Sequence, residues 1–143
     1  NLTFGGRYPD DWTTPSRHFA YYETMGGGAG AGPAAGGATG IHVHMSNTRN
    51  TPIEALEYSY PIQIEEYSIR RNSGGKGLWR GGDGLVRSIR FHSPVVVTIT
   101  SERRRLAPYG NAGRWRLGNG RVRRSGLVIR HWSMAIFHRQ AIG

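Results

Sequence analysis

His42 and His44 stand two residues apart in the run "GIHVHM". On an extended strand, residues i and i+2 share a face, so two imidazoles at this spacing reach toward one point. Imidazole is a common metal ligand and the usual proton carrier near neutral pH. A complete metal site needs a third ligand. Glu54, Glu57 and Asp83 are all available, and nothing in the spacing selects one. The competing reading is a pair of solvated or hydrogen-bonded histidines on the polar face of a strand. The run that follows, Ser46-Asn47-Thr48-Arg49-Asn50-Thr51, offers donors and acceptors between that strand and a helix start. Free N–H groups at such an end suit a carboxylate, a phosphate or an oxyanion. Local turn capping by Asn and Thr accounts for the same residues equally well. A third stretch, "SGGKGLWRGGDG", sets closely spaced glycines beside Lys76. Such backbone cradles anions, but the G-x-x-x-x-G-K-[ST] spacing is missing and no long helix follows, so a wide turn is the favoured reading. With no cysteine and no G-x-S-x-G, no nucleophile arrangement stands out.

These residues need elements to position them. "HFAYYET" (His18–Thr24) reads as a short strand. Ile41–Met45 alternates, with Ile41, Val43 and Met45 on one face and the histidines on the other, which predicts a half-buried strand. Thr51, Pro52 and Glu54 fit N-cap, N1 and N3 of a capping box, and Pro61 stops the helix after about two turns. Pro61–Arg71 reads as a strand with Ile62 and Ile64 on one face and Glu65, Tyr67 and Ile69 on the other. "LVRSIRF" and "PVVVTITS" are β-branched strands expected to pair as a hairpin. Met25–Gly40 is glycine-rich low complexity: a flexible loop, or backbone wrapped closely around something. The expected fold is α+β, rich in antiparallel strands, with one or two short helices and long Gly-rich loops.

Bulk composition narrows the function classes. The 143 residues suit one domain. No apolar stretch approaches the roughly 20 residues of a membrane span, and the N-terminus "NLTFGGRYPDDW" lacks the marks of a signal peptide and reads like the middle of a longer protein. A cysteine-free chain is compatible with a cytoplasmic setting. The net charge of +10 is unevenly spread: residues 1–110 hold 12 Lys+Arg against 9 acids, whereas residues 111–143 hold 7 Arg and no acid. A nucleic-acid-binding module, with Trp79, Trp115 and Trp132 as stacking residues, is therefore the rival reading. Because the charge sits in the tail, nucleic-acid binding is expected to be non-specific at most, and through the tail alone.

Three stretches together resemble the hydantoinase B/oxoprolinase family in its C-terminal portion. They are "GIHVHMSNTRNTPIEALEYSYPIQIEEYSIRRNSGGKGLWRGGDGLVRSIRF", the preceding "FAYYETMGGGAGAGP" and the later "SERRRLAPYG". The resemblance covers roughly residues 1–110; residues 111–143 depart from the family pattern and read as a divergent basic tail, frame-shifted or disordered. It implies an ATP-dependent hydrolase of cyclic amides, opening a hydantoin or oxoproline ring beside an A-type partner subunit or domain. It also implies ATP and a divalent metal, both bound outside this chain. On that view His42, His44, Asn47 and Arg49 form the wall of an active site, with Thr48, Asn50, Thr51 and Asp83 on the substrate. The remaining possibility is an inactive truncated fragment.

Overall fold

The computed structural model describes residues 1–13, 17–43, 46–101, 126–130 and 134–137. Its elements are β1 (Leu2–Arg7), β2 (His18–Glu23), α1 (Ile53–Ser59), β3 (Ile62–Arg70), β4 (Gly84–Phe91), β5 (Val95–Ile99), β6 (Gly126–Arg130) and β7 (Met134–Phe137). They form two sheets, ordered β2-β1-β5-β7 and β3-β4-β6. The expected α+β class, β-rich and mostly antiparallel with a single short helix, is what the chain adopts. Strands β6 and β7 come from the basic stretch after residue 110 and join β4 and β5 in parallel.

Register decides which side chains meet. In the first sheet Leu2 stands opposite Glu23 and Ile99, and Phe4 opposite Tyr21 and Val97. Directly paired residues share a face, so Leu2, Phe4, Phe19, Tyr21, Glu23, Val95, Val97 and Ile99 all point one way. In the second sheet Phe91, Ile89 and Arg87 share a face with Ile62, Ile64 and Tyr67. The two faces meet: the rings of Phe4 and Phe91 lie 5.1 Å apart, edge to face. Helix α1 adds Leu56 to the same core, which also holds Leu2, Phe19, Val95 and Val97.

Four sequence expectations are corrected here. Ile41–Val43, the described part of the expected strand, is not one: Ile41 makes an isolated antiparallel bridge to Gly27, and Ile41 and Val43 are exposed, while His44 and Met45 lie outside the described residues. Alternation alone does not make a strand without a neighbour to accept its hydrogen bonds. The capping box is not formed. The cap position is Pro52, whose side chain has no polar atom to cap with, and Thr51 Oγ1 accepts the Tyr21 hydroxyl. Tyr67 and Ile69 lie on the same face as Ile62 and Ile64, since the register shifts between Ile64 and Glu66. One extra residue in a strand resets the parity of everything after it. Glu65, the residue inserted there, reaches Ser88 and Arg90 instead. Finally, β4 and β5 do not pair as a hairpin. They belong to different sheets, so His92–Pro94 is a crossing between layers.

The two glycine-rich segments explain each other. The N–H of Ala29 donates to Ala38 O, that of Gly82 to Ala29 O, and that of Gly37 to Arg80 O. This backbone-on-backbone packing leaves no room for side chains. A Cβ on Gly28 would sit 1.9 Å from Gly82 O, and one on Gly82 would sit 1.9 Å from Ala38 O. Of the two readings of Met25–Gly40, the close-wrapped one holds, and what it wraps is the loop between β3 and β4. We predict that Gly82→Ala lowers stability by roughly 2–3 kcal/mol through overpacking. Gly30→Ala, where an added Cβ meets nothing within 4 Å, should stay within about 0.5 kcal/mol. Paired denaturant titrations read the difference.

Candidate functional site

Arg87 carries the most deeply buried charge among the described residues. It occupies a core-facing position of β4 and is 1% exposed. Its guanidinium donates to Glu23 Oε2, which faces it from the opposite sheet and is 5% exposed. Tyr67, paired with Arg87 across the β3–β4 ladder, lays its ring under the guanidinium at 5.2 Å. A guanidinium over an aromatic face is favourable and tolerates little water. The other oxygen of Glu23 accepts the N–H of Thr51 at 2.8 Å. Thr51 Oγ1 accepts the Tyr21 hydroxyl at 2.9 Å. Burial, aided by the Glu23 carboxylate, pushes the Tyr21 phenol up to about 12. One ion pair therefore bridges the two sheets and fixes the entry to α1.

Asn50 continues this network on the other side of Thr51. Its Nδ2 donates to Thr24 O at 2.9 Å. Its Oδ1 accepts from the Tyr67 hydroxyl at 3.2 Å and lies 2.9 Å from His42 Nε2. His42 is half-buried, and its Nδ1 is buried with no hydrogen-bond partner. Ser46 closes a tight turn, donating through Oγ to Val43 O at 2.8 Å. Asn47, Thr48 and Arg49 are exposed on the surface between these anchors. Their side chains make no hydrogen bond among the described residues.

The sequence-predicted site residues are thus brought together in part. His42, Asn50 and Thr51 share one network, and Asn47, Thr48 and Arg49 form the exposed stretch beside it. His44 lies outside the described residues. Asp83 sits apart, in the glycine loops. Its carboxylate accepts the N–H of Gly74 at 2.8 Å and of Asn72 at 3.1 Å, and pairs with Arg80 at 2.5 Å. The Gly74 N–H does most to hold its carboxyl below the usual carboxylate range, with the Asn72 N–H and Arg80 adding to it and burial opposing. Two of the loop's N–H groups are thereby spent on an internal carboxylate, which favours the wide-turn reading of this loop over an anion cradle. Glu57, an early candidate for a third metal ligand, accepts the N–H of Ile64 at 2.7 Å instead. No group of three His, Cys, Asp or Glu side chains able to hold a metal occurs among the described residues.

Sequence reasoning passed over Glu23, Arg87, Tyr67 and Tyr21. One signal was available: Arg87 interrupts the series Ile89 and Phe91 on the inward face of a strand otherwise rich in apolar residues. A charge at a core position calls for a buried partner of opposite sign. Which acid it would be depended on tertiary structure.

Two outcomes are expected. Arg87→Met strands Glu23 in the core and should destabilise the fold by roughly 3–5 kcal/mol. Adding Glu23→Leu should restore much of that loss, as a denaturant double-mutant cycle will show. Tyr21 gives a pH dependence. Its folded-state value lies above the ordinary 10.0, so between about pH 10 and 12 the unfolded chain has lost the proton and the folded chain has kept it. The Tyr21 contribution is complete below pH 10 and falls as pH rises through 12. Comparison of alkaline unfolding with Tyr21→Phe checks it, the variant lacking this component.

The chain was compared with known proteins. The family described as Hydantoinase B/oxoprolinase matches residues 1–138, reaching past the point at which the sequence pattern departs. The chain is 52% identical over 113 residues to 5-oxoprolinase 1 of Arabidopsis thaliana, covering 79% of this chain and 8% of that protein. It is 43% identical over 131 residues to a 5-oxoprolinase of Dictyostelium discoideum, covering 92% of this chain and 9% of that protein. The B-type subunit of a putative D-/L-hydantoinase from a Pseudomonas species is 31% identical over 93 residues, 65% of this chain and 16% of that protein. The chain therefore spans less than a fifth of the length of each of these relatives. No solved structure matches. No helix among the described residues is long and apolar enough to cross a membrane. With the match running over nearly the whole sequence, the chain belongs to the hydantoinase B/oxoprolinase family.

Proposed function

We propose that this chain is the C-terminal part of an ATP-dependent cyclic-amide hydrolase, opening a hydantoin or oxoproline ring with an A-type partner subunit or domain in the cytoplasm. Family membership supports the enzyme class. The observation that carries the local reading is the anchoring of Asn47–Arg49. Glu23 and Arg87 hold Thr51 on one side, the Ser46 turn holds the other, and three uncommitted polar side chains are left on the surface between them. Water adding to a ring carbonyl puts negative charge on its oxygen. Fixed donors that meet this charge lower the barrier more than mobile water does. Asn47 and Arg49 supply such donors, and Thr48 a hydroxyl.

ATP and a divalent metal belong to this reading but do not fit the described residues. The N–H groups of Asn72 and Gly74 already donate to Asp83, and His42 Nε2 already faces Asn50. Both groups would be held by other parts of the full-length protein or by its partner, and no step is assigned to them here.

In a full-length protein carrying this segment, Asn47→Ala and Arg49→Ala should each lower kcat by about 100-fold, on the order of 3 kcal/mol in the barrier. Stability should be unchanged, since both side chains are exposed. Steady-state turnover of hydantoin and 5-oxoproline, with thermal melts in parallel, gives the answer. Unchanged turnover would assign these residues to the turn alone.

A further inference from the structure

The outer faces of the two sheets differ in kind. On the second sheet the register turns Glu66, Arg70 and Arg90 outward, and Glu65 reaches Arg90 there at 2.8 Å. Such charge is the usual composition of a strand face in water. On the first sheet the register sets Tyr22, Thr3 and Thr98 in one outward row and Ala20, Gly5 and Val96 in the next. None of these six residues is charged. Tyr22 is 60% exposed and Val96 49%, and Ala20 is exposed beside them. Arg7, opposite His18, marks the end of the charge-free area. Gly5 opposite Ala20 makes a low floor beside Tyr22 and Val96, and a glycine inside a strand often marks the close approach of another backbone.

Charge and area narrow the occupant. A polyanion finds no cation among the six residues. A partner that comes and goes generally meets a surface about as polar as the rest of the protein. Permanent contacts are the ones that resemble a domain core cut in half. The family supplies the material for such a contact: this chain spans less than a fifth of each relative named above, so most of each polypeptide lies outside it. We propose that the outer face of the first sheet is an internal interface of the full-length protein. A further layer of the same polypeptide covers it and presents a face without charged side chains to Ala20, Tyr22 and Val96. The two sheets then make two of three packed layers, and the charged outer face of the second sheet is left to water.

The test uses the full-length protein carrying this segment. In hydroxyl-radical footprinting, Tyr22 and Val96 should lose most of the oxidation that half-exposed side chains show. A Tyr22 oxidised as fast as its 60% exposure allows overturns the proposal. With p-benzoylphenylalanine in place of Tyr22, light should cross-link this position to a part of the same polypeptide outside these 143 residues. Mixing ¹⁴N- and ¹⁵N-labelled protein separates that product from a link between two copies. A link to a second copy, to a separate subunit, to nucleic acid or lipid, or back into the 143 residues names a different occupant and overturns the proposal. Substitution reads the same face independently. Ala20→Glu should lower the melting temperature by several degrees, whereas Gln63→Glu, on the outer face of the second sheet, should leave it unchanged. A strand position open to water tolerates such a change, so an Ala20→Glu protein that melts with the parent also counts against the covered face. The footprint and the cross-link do not use this variant, so they stand even where it fails to fold.

Discussion

The ion pair between Glu23 and Arg87 is the constraint on which the rest of the structure turns. Taking two charges out of water is costly, and the cost is offset only when geometry is close and the remaining hydrogen-bonding capacity is used. Here the carboxylate accepts from both the guanidinium and the Thr51 backbone. Arg87 also faces the Tyr67 ring and the Met25 sulfur. Because the two charges come from opposite sheets, the layers cannot slide without parting them. Because Thr51 shares the carboxylate, the polar stretch before α1 is tied to the same point. An apolar pair of similar volume would hold the layers together, but it would leave the Thr51 N–H without this acceptor.

The glycine loops solve a different problem with the opposite means. Met25–Gly40 and Asn72–Gly84 offer few side chains, so they are joined by backbone hydrogen bonds and by one carboxylate, that of Asp83. Glycine is costly to order, yet contacts below 2 Å from an imagined Cβ show why it is used at Gly28 and Gly82. His42 sits where these loops meet the ion-pair network. Gly26 packs against its ring on one side, and Asn50 holds it on the other. A rigid frame built from two unlike devices thus converges on one imidazole.

Much of the fold was legible. Strands β2, β3, β4 and β5, and a helix of two turns before Pro61, follow from local pattern, because β-branched runs and proline stops act through neighbours in the chain. Strand β1 was missed, since its apolar face is only Leu2 and Phe4, followed by two glycines. The candidate site was legible by residue type but not by role. The hydrogen bonds of Asn50 to Thr24 and His42, and of Asp83 to the Asn72–Gly74 turn, could not be read from the sequence. A side-chain amide or carboxylate looks the same in sequence whichever donors surround it.

The sequence by itself determined the family, the β-rich class and the polar stretch where chemistry is to be sought, because these rest on motif and short-range periodicity. Tertiary structure alone decided four things: which sheet each strand joined, the parity of β3 after its bulge, the partner of Arg87 and the partner of His42. Each depends on groups far apart in the chain: Glu23 and Arg87 are 64 residues apart, and Asn50 and Thr24 are 26 apart. The free energy of a buried charge or a buried lone pair is set by what lies within a few ångströms of it, and only the folded chain specifies that.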